Sequence, residues 1–275
     1  MLGLGIIGSR ACSRLMNAGW QVACWNRTPK GVAGEAASAE DAVRGVSIIS
    51  IYLKDVPAVR EVVGRILPYL AEGQIVLNHA TLDLETTRWL DQVCLARGAR
   101  FIDAPFTGSK VASAQGQLIY YIGGDAGLAE QLDGYLAVTS KSRLFCGEIG
   151  TATVVKLATN LISACTVQAM AEALAIATSH GVRADCLVNA VAQNASASVL
   201  TGMKLPTMAV GNFETHFSLS NMGKDTRYML ALADAAGLET PAIAAVSRRM
   251  GELAETGLGD LDYSVVVKPY LDAHE

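Results

Sequence analysis

The sequence predicts an α/β protein in two parts: a doubly wound, mostly parallel sheet in the N-terminal half, and an all-helical C-terminal half entered through one long helix. Three observations carry this. Short β-branched runs alternate with amphipathic helical stretches as far as Gly150, a glycine-rich turn opens the first helix, and beyond Gly150 the strand pattern stops and an Ala-rich apolar helix begins.

The strands are expected at Gln21–Trp25, Val46–Leu53, Gln74–Leu77, Arg100–Ile102 and Leu118–Ile122. Helical periodicity fills the gaps at Ser9–Ala18, Val56–Leu70, Leu84–Arg97 and Asp125–Leu136, with Pro57, Gly73 and Gly98 as starts and stops. Only Met1 and Leu2 precede the glycine turn, whereas a central first strand normally needs about five residues, so either the native start lies upstream or this strand is truncated. The long helix should run from Thr151 to His180, followed by helices at Asp185–Asn194, Asp225–Ala236 and Pro241–Glu255. It is apolar on nearly every face, so both domains, or a partner subunit, must cover it. Lys156, Asn160, Gln168 and Glu172 along its length argue against a membrane span.

A chain of 275 residues with 51% hydrophobic and 17% charged residues has material for two domains, placed at 1–150 and 151–275. A net charge of -4, a pI near 5.6 and the lack of any Lys/Arg run exclude a nucleic-acid or anionic-membrane partner and leave small molecules. Six scattered cysteines without a C-x-x-C pair, and no signal segment, point to reduced thiols in the cytoplasm.

Gly3-Leu4-Gly5-Ile6-Ile7-Gly8 is a G-x-G-x-x-G ahead of a helix and a second strand, the arrangement of a Rossmann-like dinucleotide site. Gly3 permits the tight turn, Gly5 lets backbone approach a pyrophosphate, and Gly8 allows close helix packing. The end of the second strand, where an NAD site carries an Asp or Glu for the ribose hydroxyls, holds Asn26, followed by Arg27 and Thr28. The missing carboxylate and the added guanidinium favour NADPH over NADH, with Lys30 a weaker second cation; the alternative for Arg27 is a solvated turn residue.

The loop Asp103-Ala104-Pro105-Phe106-Thr107-Gly108-Ser109-Lys110 offers a hydroxyl and backbone N–H groups to a carboxylate, or is an ordinary Pro/Gly turn. Lys156 and Asn160, four residues apart, share one face of the long helix. Burial lowers a lysine's pKa towards the range useful in proton transfer, while a lysine near a helix start also commonly snorkels to water; the two readings stand level on this pattern alone. His79 reads as a local hydrogen-bonding residue at a strand end. His180, His216 and His274 have no metal-ligand spacing, and no metal is expected.

Taken in order, Gly3 to Gly8 with Asn26-Arg27-Thr28, Asp103 to Gly108, Gly147-x-x-Gly150 with Lys156-x-x-x-Asn160, and Lys224-Asp225 resemble the signatures of the β-hydroxyacid dehydrogenases, a family that includes 3-hydroxyisobutyrate dehydrogenase and the glyoxylate/succinic semialdehyde reductases. The resemblance extends to Gly257–Ser264. It implies that Lys156 is the catalytic acid/base and Asn160 a substrate-orienting amide, that Thr107, Gly108 and Ser109 hold the substrate carboxylate, and that Leu53 and Thr81 flank the nicotinamide. It further implies a cofactor contact at Lys224, an aromatic pocket wall at Phe217, NADP as cofactor, a small carbonyl or hydroxy acid as substrate, and a homodimer or homotetramer. Two departures stand out: Phe106-Thr107-Gly108 replaces the usual Val-Ser-Gly, and Asn78-His79-Ala80-Thr81 replaces the usual Asp-x-Ser-Thr. The rival readings are an imine reductase, which typically carries another residue at the lysine position, and a non-catalytic dinucleotide-binding module used for oligomerisation.

Overall fold

The computed structural model describes residues 1–272, so His274 lies outside the described residues. The chain divides into two compact units, Met1–Lys156 and the part from Leu157 onward.

In the first unit the order is α1 (Ile6–Asn17), α2 (Ala39–Ala42), β1 (Ile48–Ile51), α3 (Val56–Ile66), β2 (Ile75–Asn78), α4 (Leu84–Leu95), β3 (Arg100–Asp103), β4 (Phe106–Thr107), α5 (Lys110–Ala114), β5 (Leu118–Gly123), α6 (Ala126–Gln131), α7 (Asp133–Ala137) and β6 (Ser140–Gly147). β1, β2 and β3 are parallel and in register, Ile48 beside Ile75 and Ile75 beside Arg100. β5 meets β3 and β4 antiparallel and β6 parallel, so the sheet is mixed. The reversal follows from chain length: the short segment between β4 and β5 holds only α5, less than a parallel crossover needs. β4 and β6 are absent from the sequence reading because Pro105 and the polar Ser140–Arg143 run obscure any apolar alternation.

The first two expected strands are reduced to bridges, Leu2 pairing in parallel with Trp25 on one side and Ile51 on the other. The Leu2 N–H donates to the Ser50 carbonyl at 2.8 Å and the Gly3 N–H to the Trp25 carbonyl at 2.8 Å, which places the glycine turn beside the end of β1. Period-two alternation splits the sheet between two layers. Ile49, Ile51, Val76 and Phe101 pack with α3 and α4, while Leu77, Ile102, Leu118 and Tyr120 pack with α6 and α7. Asp55, Asp83 and Asp125 cap α3, α4 and α6 through their carboxylates, each satisfying an otherwise unpaired N–H.

α8 (Thr151–Ser179) starts in the first unit and continues into the second, which adds α9 (Ala184–Ala192), α10 (Val199–Ala209), α11 (Leu219–Ala235), α12 (Pro241–Leu253) and α13 (Lys268–Asp272). Leu157, Ala164, Val167, Ala171 and Leu174 form the inward stripe of α8 and pack with Leu219, Met222, Met250 and the wholly buried Tyr263–Val267 turn. α8 has the length and hydropathy of a membrane span, but only 33% of its most apolar window is buried, and Ile162 and Ile176 are exposed. The expected all-round burial is therefore a one-sided burial within this chain. α10, absent from the sequence reading because Gly202 and Pro206 lie in it, is started by a capping box between Ser198 and Thr201.

Candidate active site

The glycine turn is shaped by two contacts and one open space. Gly3 has φ +98° and a Cβ there would lie 2.3 Å from the Tyr52 carbonyl oxygen; on Gly8 it would lie 2.1 Å from that of Gly3. A Cβ on Gly5 would meet nothing within 4 Å. Gly5 also begins α1 without any side-chain cap, so the dipole and N–H groups of the first turn face a cavity of about 560 Å³ lined by Leu4, Gly5, Ile6, Ser9 and Lys30 among others. Ile7 packs under the turn against the core layer of Leu77 and Ile102. An uncapped helix start, a glycine open towards the cavity and two glycines that no side chain could replace fit the pyrophosphate of a dinucleotide.

Asn26 ties this turn to the following loop: its Oδ1 accepts from the Leu4 N–H at 2.9 Å and its Nδ2 donates to the Thr28 carbonyl at 2.7 Å. Arg27 is exposed, as the solvated-turn alternative requires, but its Nη2 donates to Glu61 Oε2 at 3.0 Å, a partner 34 residues away that no local pattern signals. Leu53 and Thr81, both half-buried, follow β1 and β2 at the same end of the sheet.

His79 is fully buried, stacked on Tyr52 at 4.3 Å between ring centroids, and burial lowers its pKa to about 4. Its Nδ1 donates to the Ala104 carbonyl at 2.8 Å, which leaves Nε2 to accept from the Ser50 hydroxyl at 3.3 Å. It is a neutral core residue. Thr107 is half-buried on β4, Gly108 has φ +136°, and the Ser109 Oγ accepts from the Ala112 N–H at 3.2 Å to start α5. Substitution of Gly108 would press a Cβ to 2.8 Å from Leu118.

The start of α8 is held by a buried carboxylate. Asp103 Oδ2 accepts from both the backbone N–H and the hydroxyl of Thr153, each at 2.8 Å, and Thr153 Oγ1 lies 3.0 Å from Thr87 Oγ1. Burial raises the Asp103 pKa to about 6 against the opposing pull of these bonds. One turn on, Lys156 is only 8% exposed, too little for a side chain extended to water, and Asn160 is equally buried on the same helix face.

In the second unit Asn160 Nδ2 donates to Asp225 Oδ2 at 2.7 Å, and Asp225 Oδ1 lies 3.0 Å from Lys224 Nζ. Asp225 is wholly buried and joins Asn160 to Lys224, a meeting that leaves no periodic trace in the sequence because 65 residues separate it from Asn160. Phe217 sits edge-on to Tyr263 at 6.1 Å, and its N–H donates to Asp262 Oδ2 at 3.1 Å. Burial works against the charge on Asp262, but Lys204 Nζ at 2.7 Å and the N–H groups of Ser264 and Phe217 overcome it and hold its pKa below the usual carboxylate value.

Family models match both parts of the chain: the NAD binding domain of 6-phosphogluconate dehydrogenase over residues 1–150, and the NAD-binding region of NADP-dependent 3-hydroxyisobutyrate dehydrogenase over residues 150–270. The chain is 30% identical over 277 residues to glyoxylate/succinic semialdehyde reductase 1 of Arabidopsis thaliana, covering 97% of this chain and 96% of that one. It is 30% identical over 274 residues to the cytokine-like nuclear factor N-PAC of Mus musculus, covering 98% of this chain but 50% of that one. The fold is also that of 3-hydroxyisobutyrate dehydrogenase from Mycobacterium tuberculosis, with a TM-score of 0.89 at 22% identity over 98% of this chain and 97% of the other. With a glycine turn fit for a dinucleotide and both family models matched in order, the chain belongs to the β-hydroxyacid dehydrogenase family of NAD(P)-dependent enzymes.

Proposed function

We propose that the protein is an NADPH-preferring reductase that interconverts a small semialdehyde or 2-oxo acid and the corresponding hydroxy acid, with Lys156 as the general acid/base. The observation that carries this is the burial of Lys156 and Asn160 on one face of α8, whose start is held by Asp103. The nicotinamide cofactor, when bound, supplies or accepts the hydride. Lys156 gives a proton to the carbonyl oxygen during reduction and takes it back during oxidation, while Asn160, held by Asp225, orients the substrate.

Gly3 to Gly8 and the start of α1 receive the pyrophosphate, Asn26 holds the turn, Arg27 meets the 2′-phosphate beside Thr28, and Leu53, Thr81 and Lys224 complete the cofactor contacts. Thr107, Gly108 and Ser109 take the substrate carboxylate and Phe217 supplies an apolar wall. In this reading residues 1–150 are the cofactor domain and 151–275 the substrate and oligomerisation domain of a cytoplasmic enzyme. The exposed Ile162 and Ile176 support a homodimer or homotetramer that covers α8.

The test is NADPH oxidation with glyoxylate, succinic semialdehyde, tartronate semialdehyde, methylmalonate semialdehyde and a cyclic imine, for the wild type and Lys156→Ala. Turnover of at least one acid should fall in Lys156→Ala by about 10²- to 10⁴-fold, with NADPH binding retained. Near-native turnover would remove Lys156 from the chemistry, and wild-type inactivity on the whole panel would favour a non-catalytic dinucleotide-binding module.

A further inference from the structure

We infer that Glu61 is a cofactor-specificity determinant: it holds Arg27 by its guanidinium and tempers the preference for NADPH over NADH. The inference rests on the reading of Arg27 as the 2′-phosphate partner. Glu61 lies on α3, whose Val59, Val62, Val63 and Ile66 face the core, so its own side chain stands outward at 53% exposure. From there its Oε2 accepts from Arg27 Nη2 at 3.0 Å.

The consequence follows from charge. A 2′-phosphate carries close to two negative charges, and to pair with this guanidinium it must displace Glu61 or share the cation with it. Either course penalises NADPH and leaves NADH unaffected. At the same time, the acidic group that an NAD site places at the end of the second strand is missing here, where Asn26 stands with both ends of its amide bound to backbone. Glu61 brings a carboxylate from another element to the guanidinium of Arg27, the residue that follows Asn26, where it would accept from the hydroxyls of an unphosphorylated ribose. The two effects act in the same direction. Because the pair is exposed and solvent-screened, each is modest, and their sum is about three- to tenfold in the affinity ratio.

Binding alone tests this, independently of any substrate: the dissociation constants of NADPH and NADH are measured by fluorescence titration of the full chain for the wild type, Glu61→Gln, Arg27→Ala and the double variant. Glu61→Gln should shift the ratio towards NADPH by about three- to tenfold, Arg27→Ala should shift it towards NADH, and in the Arg27→Ala background the gain from Glu61→Gln should shrink to its NADH-weakening part. An unchanged or reversed ratio in Glu61→Gln overturns the inference while a loss in Arg27→Ala leaves the Arg27 reading standing. An unchanged ratio in Arg27→Ala overturns both.

Discussion

Asp103 is the residue whose replacement reports most directly on how α8 is anchored. Its carboxylate is completely buried, accepts two bonds from Thr153, and has a pKa lifted from 3.8 to about 6 by burial. Because the native value lies above the unfolded one, the native state holds more protons in the window between them. Its contribution to stability is therefore greatest below pH 4 and declines as pH rises to 6 and beyond, by about 3 kcal/mol in all. Asp103→Asn keeps an acceptor for Thr153 but cannot ionise. Other titrating groups cancel between the two proteins, so the wild-type stability relative to Asp103→Asn should drop by about 2 kcal/mol from pH 4.5 to pH 8. The assay is urea denaturation followed by tryptophan fluorescence, since Trp20, Trp25 and Trp89 all lie in the unit that contains Asp103. At a slope of about 2 kcal/mol per molar, the midpoint difference should move by about 1 M. A difference that stays constant over this range would show that Asp103 titrates like an exposed carboxylate, and the buried-anchor reasoning would fail.

The glycine turn separates folding from binding. Gly8→Ala should cost about 3 kcal/mol in urea denaturation, because the Cβ meets the Gly3 carbonyl at 2.1 Å. Gly5→Ala, with nothing within 4 Å, should cost at most about 1 kcal/mol yet weaken NADPH binding on the order of tenfold, read by fluorescence titration. Equal stability of the two variants would refute the cradle geometry. In the second unit, Lys204→Met leaves the buried Asp262 without its 2.7 Å partner and should cost about 3–5 kcal/mol, measured by circular dichroism in urea. A loss below about 1 kcal/mol would mean that the backbone N–H donors of His216, Phe217 and Ser264 suffice for Asp262.

What could be read from sequence is what local chemistry dictates. Gly3, Gly5 and Gly8 announce a close backbone turn, the four-residue spacing of Lys156 and Asn160 puts them on one helix face, and alternating apolar runs announce β1, β2, β3 and β5. Those features depend on periods and conformational limits that adjacent residues impose. The reversal at β4 and β5, the helix over Val199–Ala209 around Pro206, and the reduction of Gln21–Trp25 to bridges were decided by packing, which overrides propensity in short segments. The partners of the site residues belong to the same class. Glu61 on Arg27, Asp103 on Thr153 and Asp225 on Asn160 are separated along the chain by 34, 50 and 65 residues. Each is a carboxylate whose meeting with its partner has no sequence period, so only the tertiary structure determines which cation or amide it holds.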